Sequence, residues 1–556
     1  MSISATDLAE VTIAEAFKEA LAHHQAGRLN RAEALYRAIL GTDPNHSDSL
    51  HLLGVIAIQV RRYDTAVQLI NEALARHQAA AYYSNLATAL LHLGRTEESL
   101  EACRQSLLLD PNHADAELNR GTALMVLGQL EDAAQCFRQA IALRPHFPLA
   151  HINLGNALQR QGWFAIAADH YRTALQINPD LAEAHAYLGT ALQEQGKATE
   201  AEFHEREAIR INPDFAQAHG NLALMLQQRG EIEGSIAFAR ESIRLKPDHA
   251  EGHLTLGLSL LLDGQLAEGW REYEWRWRVN RPPFFNRGFT QPQWTGQALG
   301  KRVLLIHGEQ GLGDAIQFVR YVPMVASGAK VVLEVAPILV PLFKQMPVEV
   351  IAVGDKLPRF DMHCPIVSLA AAFKTTSQTI PHKIPYLKAD PDKVAVWKKR
   401  LKRLPGKRVG IAWAGAKDHP RDRYRSVALD RMIWLAGLNE CSFVSLQKGE
   451  AAEQAKSPPP GLTLHDWTDE LNDFSDTAAL IEALDLVVAV DTSVIHLAGA
   501  LGKPVWLLNR ADTDWRWGRD RDDSQWYPTL RQFRQTRLGD WDSVLKQLRE
   551  ELMAPK

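Results

Sequence analysis

From about residue 11 to residue 278, apolar positions recur at i, i+3 and i+4, the spacing of helices with one buried face. Glycine recurs at Gly94, Gly128, Gly162, Gly196, Gly230 and Gly264, and proline at Pro111, Pro145, Pro179, Pro213 and Pro247, both in 34-residue steps. One helix fits between each proline and the next glycine, and a second between that glycine and the next proline, as in HINLGNALQRQGWFAIAADHYRTALQINP. Glycine permits the turn between the two helices, and proline ends the second one. The stretches near Arg61 and Gln78 lack the Gly and the Pro and drop one residue, so the earliest register stays open.

After EGWREYEWRWRVN (268–280) the period changes. KRVLLIH, KVVLEV, RVGIAWAG, SFVSLQ, LDLVVAV and PVWLL read as buried strands, with AIQFVRYVPMVA and SVIHLAGAL as helices between them, a parallel doubly wound pattern. The expected organisation is a leader (1–10), an α-solenoid of about eight helix pairs (11–280), a linker (281–299), and two α/β lobes (300–395 and 396–556). The basic run KKRLKRLPGKR (398–408) resembles a nucleic-acid patch, but a solvated hinge between the lobes is the simpler reading.

Composition narrows the classes. Sixty-two Lys+Arg against 66 Asp+Glu give a formal charge of −4, and 46% apolar residues fit a globular chain, not a disordered or broadly nucleic-acid-binding one. Cys103, Cys136, Cys364 and Cys441 lie far apart with no paired C-x-x-C spacing, so neither a zinc or iron–sulfur site nor a disulfide frame is expected, and a reducing cytoplasm is. The N-terminus lacks a basic start and an apolar core, and no apolar run approaches ~18 residues, so neither a signal peptide nor a membrane span is expected.

The 34-residue unit, with its L-G, Ala-x-x-x-Phe/Tyr and closing Pro, resembles the tetratricopeptide repeat; Ala133 with Phe137 and Ala167 with Tyr171 match well. Such repeats stack into a superhelix whose concave wall carries the first helix of each pair. Asn85, Asn119, Asn153 and Asn221, with Tyr187 in the vacant rung, form a row. Asparagine offers a donor and an acceptor, so the row can pair with the amides of an extended peptide. It resembles the asparagine ladder of O-GlcNAc transferases, although asparagine also simply suits this position. His151, His185, His219 and His253 form a parallel row, read as groove lining because repeats about 10 Å apart cannot share one ion.

Two motifs sit where strands end. His307-Gly-Glu-Gln-Gly311-Leu-Gly313-Asp314 follows VLLI and opens a helix; its glycines leave backbone space for a substrate, and its acid lies in a first helical turn, where capping alone also explains it. Asp491-Thr492-Ser493 follows LVVAV and opens a helix bearing His496, an anion site suited to a diphosphate, or again only a cap.

Together the motifs resemble those of ADP-heptose lipopolysaccharide heptosyltransferases, which have the GT-B fold of two Rossmann-like lobes: strand–Gly-Asp–helix, then D-T-x-x-x-H-L-A-x-A-L-G-K-P from Asp491 through His496 to Pro504. The whole chain resembles bacterial repeat–transferase fusions, a design shared with O-GlcNAc transferases and flagellin glycosyltransferases. The resemblance implies Asp314 as general base, Gly311 and Gly313 beside the donor, and Asp491, Thr492, Ser493 and His496 around its diphosphate and sugar; Ser493 stands where the family commonly has Gly. It further implies Lys417, Arg425 and Ser426 at phosphate, and Gln447, Lys448 and Glu453 near the nucleoside. The expected activity is metal-independent inverting transfer of a hexosyl, N-acetylglucosaminyl, heptosyl or nonulosonyl group from a nucleotide-sugar, with no cofactor, onto a Ser/Thr hydroxyl. The acceptor is a polypeptide held by Asn85, Asn119, Asn153, Tyr187 and Asn221, with flagellin or another cell-surface protein implied and no nucleic-acid partner. An oligomer stays open.

Three rivals remain. Gly308, Gly311 and Gly313 with Glu334 sketch an NAD-dependent oxidoreductase, but in the wrong order and with Asp314 facing a pyrophosphate. Asp512-Thr513-Asp514 imitates a metal-binding D-x-D, yet reads as a loop. A repeat scaffold with a degenerate transferase domain is the third. Trp515, Trp517, Trp526 and Tyr527 could line a sugar site, though packing against the sheet is the simpler reading.

Overall fold

A computed structural model describes residues 12–279, 284, 286–417 and 422–554. The expected leader (1–10) lies outside them. The chain divides into two compact units at Asn221/Leu222.

The first unit is built of antiparallel helix pairs, from Ile13–Gln25 with Leu29–Thr42 to Ala182–Glu194 with Ala198–Ile211. The turn inside each pair needs a left-handed residue, and Gly94, Gly128, Gly162 and Gly196 supply it at φ +72° to +86°. In the irregular second pair, Arg61 takes φ +61° at the same place, so the register is kept without the glycine. Within a pair, a glycine of the first helix lies under the side chain 16 residues on. A Cβ would come within 2.5 Å of Ile70 at Gly54, 2.6 Å of Phe137 at Gly121, 2.5 Å of Tyr171 at Gly155 and 2.6 Å of Glu205 at Gly189. Three of these slots hold an apolar or aromatic side chain; the fourth holds a fully buried acid.

The second unit contains the later helices, Ile232–Leu245, Ala250–Leu262, Leu266–Tyr273 and Arg276–Val279, and two parallel sheets. The first sheet comprises β1 (Val303–His307), β2 (Lys330–Val335), β3 (Glu349–Ala352) and β4 (Met362–Pro365), ordered β3-β2-β1-β4. The second comprises β5 (Lys407–Ala412), β6 (Cys441–Ser445), β7 (Leu464–His465), β8 (Leu486–Val490), β9 (Val505–Asn509) and β10 (Leu530–Arg534), ordered β10-β9-β8-β5-β6-β7. Every pairing is parallel. The winding direction reverses between β1 and β4 in one sheet and between β5 and β8 in the other, which opens a crevice at the carboxyl ends of those strands. The connector is not a free tether. Phe289 packs on His307, Phe360 and His363, and Trp294 N–H donates to His363 O at 2.7 Å. The helix Pro391–Leu401 runs across residue 396, with Trp397 buried.

The helices that follow β1 and β8 touch. At Gly313 a Cβ would stand 2.7 Å from His496 Cδ2, so only glycine lets Leu312–Phe318 approach Ser493–Ala500 this closely. Around this contact Trp270, Phe318, Trp515, Trp517, Trp526 and Tyr527 form an aromatic core.

Candidate functional site

A cleft of about 1840 Å³ opens at the carboxyl ends of β1, β5, β6, β8 and β9. It is lined by Gly311, Gly313, Asp314, Lys417, Arg425, Ser426, Gln447, Lys448, Asp491, Thr492, Ser493 and His496. Of the transferase-site residues expected from sequence, Glu453 alone is outside the lining. It is an exposed partner of Lys456 on the turn Glu450–Lys456, while Glu450 and Gln454 face the cleft. Ile232, Leu258 and Leu262 of the later helices add an apolar wall.

Asp314 stands in the first turn of the helix after β1. Its Oδ2 accepts from Gly311 N–H at 2.9 Å, closing the turn, and its Oδ1 is ion-paired with Arg516 Nη2. The same guanidinium donates from Nη1 to Asp514 Oδ1 at 2.8 Å and from Nε to Gln317 Oε1 at 3.0 Å, and lies over the Trp515 ring at 4.2 Å. Arg516 thus joins the first-sheet helix to the loop after β9. The loop before Asp314 is anchored from the last helices. Fully buried Arg276 pairs with Glu309 at 2.9 Å and Glu274 at 2.6 Å, and Tyr273 O–H donates to Gln310, a non-glycine residue at φ +57°. Strain of this kind persists only where the surroundings impose it.

Across the cleft, Asp491, Thr492 and the helix Ser493–Ala500 follow β8. Burial, and then the charge of Asp514, push the Asp491 carboxyl up; for Asp514 burial acts the same way, but Arg516 outweighs it and the net direction is down. His496 donates or accepts at Tyr527 O–H (2.9 Å) through Nδ1; burial, with Arg516 and Arg320 nearby, lowers its imidazole to about 3, so it is neutral at physiological pH. Thr492 Oγ1 and Arg510 Nη1 are among the polar atoms of the cleft lining that are buried without a partner among the described residues. Leaving such atoms unpaired costs about 1–3 kcal/mol each, so an acceptor-rich ligand at this helix start would satisfy them.

The remaining residues divide by how their atoms are spent. Arg425 donates to Asp491 O at 3.2 Å and pairs with Asp422, and Ser426 Oγ joins Asp422 to Gly415 N–H. Lys417 is paired with Glu450 at the rim. Gln447 is buried and fully occupied: Oε1 accepts from Trp413 and Ala414 N–H (2.9 and 2.8 Å), and Nε2 donates to Ala414 and Lys448 carbonyls. It braces the loop after β5 against that after β6, and has no atom left for a ligand. Lys448 Nζ donates to Thr468 O at 2.8 Å.

In the first unit, the ladder is tied repeat to repeat. Asn119, Asn153 and Asn221 each donate from Nδ2 to the threonine 31 residues earlier, Thr88 (3.0 Å), Thr122 (3.4 Å) and Thr190 (3.2 Å). Those hydroxyls in turn donate to helix carbonyls. Asn85 Nδ2 meets His51 Nε2 at 2.8 Å, and the Tyr187 ring lies 5.8 Å from that of Tyr171. The imidazoles of the histidine row bond the turns between helices. His151, His185 and His219 turn Nε2 onto the carbonyl of the proline six residues back (3.3, 3.2 and 2.9 Å), and in the second unit His253 does the same at 3.0 Å. Each of these carbonyls lies in the turn one residue past a helix C-cap, and the imidazole supplies its donor.

The rival motifs are engaged otherwise. Glu334 is buried, paired with Arg287 and outside the lining of the cleft. Asp512 and Asp514 are paired with Arg510 and Arg516. Trp517, Trp526 and Tyr527 are buried in the core, and Trp515 reaches the cleft only as a wall. Arg400 and Arg408 of the basic run pair with Glu470 and Asp485. Arg276, Arg510 and Arg516 were not singled out from sequence. Their signal was present, since each lies two residues from an acid in the chain (Glu274, Asp512 and Asp514), but the aromatic company of Arg276 and Arg516 reads as core.

Residues 412–519 match the profile of glycosyltransferase family 9 (heptosyltransferase). Residues 23–90, 80–113, 121–162, 148–181 and 187–250 match tetratricopeptide repeats. Protein FlbA of Caulobacter vibrioides is 30% identical over 313 residues, 51% of this chain and 51% of that protein, so the chain spans about half the length of this curated relative. Among solved structures, a chain of the APC/C hetero-tetramer Cut9–Hcn1 is 16% identical with a TM-score of 0.40, over 48% of this chain and 54% of that one. The Pseudomonas aeruginosa pilF structure is 19% identical with a TM-score of 0.34, over 38% and 96%. Among the described residues no helix is long and apolar enough to cross a membrane.

Proposed function

For a chain that joins tetratricopeptide repeats to a glycosyltransferase family 9 (heptosyltransferase) domain, we propose metal-independent, inverting transfer of a sugar from a nucleotide-sugar to a Ser/Thr hydroxyl of a polypeptide held by the asparagine ladder. The observation that carries this reading is one cleft holding a carboxylate, Asp314, opposite a helix start, Ser493, with Thr492 Oγ1 and Arg510 Nη1 in its lining buried and unpaired among the described residues. The acceptor oxygen forms a bond to the anomeric carbon as the carbon–oxygen bond to phosphate breaks. The hydroxyl proton passes to Asp314, and the electron pair of the broken bond leaves with the nucleotide. Donors fixed before the reaction, at Ser493 N–H, Arg510 and Arg425, meet the charge that develops on the leaving phosphate. Asp491, Thr492 and neutral His496 shape the sugar pocket beside Gly311 and Gly313, while Lys417, Ser426 and Lys448 border the nucleotide. With Cys103, Cys136 and Cys364 buried as free thiols, we assign the protein to the cytoplasm.

Thermal unfolding with UDP, GDP, ADP, CDP and CMP, each with and without EDTA, tests the donor half. One nucleotide at 100 times its Kd stabilises by about 2.7 kcal/mol, and EDTA leaves the effect intact. A flat response to all five contradicts the reading, and a response to CMP alone identifies a monophosphate leaving group.

A further inference from the structure

We propose that Arg516 is a latch on Asp314, closed in the free protein and opened by the donor's phosphates. The proposal rests on the transferase reading above and concerns a residue that reading does not use. Both oxygens of Asp314 are occupied: Oδ2 by Gly311 N–H at 2.9 Å, and Oδ1 by the Arg516 guanidinium. Each carboxylate oxygen thus already accepts one bond, and the contact at Oδ1 is to a cation standing on the cleft side. Arg516 is only 12% exposed on its side chain, yet it lines the same cleft as Ser493, Thr492 and Arg510. It is braced for a change of partner: Asp514 and Gln317 hold Nη1 and Nε, and Trp515 supports its face. With the guanidinium held in place, only the partner of Nη2 needs to change, from carboxylate to phosphate, which the planar fork matches well. Donor binding then delivers the cation to the phosphate that will leave and frees Asp314 Oδ1 to take the acceptor proton. Activation of the hydroxyl is thereby conditional on a loaded donor.

This makes the base and the nucleotide competitors for one arginine, which a merely structural clamp between the lobes does not. UDP, GDP, ADP, CDP and CMP are titrated calorimetrically into the full-length protein and into the variants Asp314→Asn, Arg516→Gln, Arg516→Lys and the Asp314→Asn/Arg516→Gln double variant, each checked for a wild-type unfolding transition. For the nucleotide that binds wild type, Asp314→Asn is expected to bind at least 5-fold tighter although transfer is lost. Arg516→Gln is expected to bind at least 10-fold weaker, Arg516→Lys to fall between them, and the double variant to match Arg516→Gln. If Asp314→Asn, folded, binds the nucleotide no tighter than wild type, the latch is wrong while the transferase reading stands. If Arg516→Gln fails to fold, the comparison of Asp314→Asn with wild type and with Arg516→Lys still decides. If no nucleotide binds wild type, the transferase reading fails and the latch with it.

Discussion

Glu205 occupies the slot that Phe137 and Tyr171 fill in the two preceding repeats, against Gly189 as they are against Gly121 and Gly155. It is fully buried. Asn221 Nδ2 donates to Oε1 at 3.0 Å, Oε2 has no partner among the described residues, and burial holds the carboxyl well above its ordinary range. A raised acid stabilises the fold only below its unfolded value near 4.5, and that contribution is lost as pH rises, because the unfolded chain releases the proton and the fold keeps it. Glu205→Gln, which keeps the shape and the bond to Asn221, should therefore stabilise by about 1–3 kcal/mol at neutral pH, with a smaller gain at pH 5 than at pH 8 in urea unfolding. A gain independent of pH would show that Glu205 is already ionised. Residue types at this scale were legible in the chain; how their atoms are spent was not. Gln447 has the expected place at the cleft, but all its hydrogen-bonding capacity serves the backbone of Trp413, Ala414 and Lys448, which only the approach of two loops distant in sequence creates.

Among elements, the helix pairs and strands followed from periodicity because each has a continuous apolar face. The four edge strands, β3, β4, β7 and β10, were missed: the first three are only two to four residues long, and the LRQFR of β10 carries two arginines, as an edge strand can. The ladder was legible as a row, but not its tethering. Each amide nitrogen of Asn119, Asn153 and Asn221 is committed to a threonine of the preceding repeat, and no described residue bonds their Oδ1. The ladder so tied presents acceptors, suited to the N–H groups of an extended chain. Asn119→Ala with Asn153→Ala should raise the KM for a polypeptide acceptor about 10-fold or more while leaving nucleotide affinity unchanged, measured by steady-state kinetics beside calorimetry. An unchanged KM would reduce the row to a packing feature between repeats.

For the molecule as a whole, the placement of the site follows from topology. β1, β5 and β8 flank the points where the winding of their sheets reverses, and the motifs read from the sequence follow those strands. What strand order cannot reveal is the company at the crevice, since Arg510 and Arg516 arrive from the loop after β9. The central claim is that this cleft moves a sugar onto a polypeptide hydroxyl with Asp314 as base. The most direct measurement is mass spectrometry of proteins from the source cell after incubation with the purified chain and nucleotide-sugars. The account predicts alkali-labile sugar on Ser/Thr with the wild type, reduced at least 100-fold by Asp314→Asn that remains folded. Equal labelling by that variant, or a wild type that binds donor and labels no protein, would contradict it.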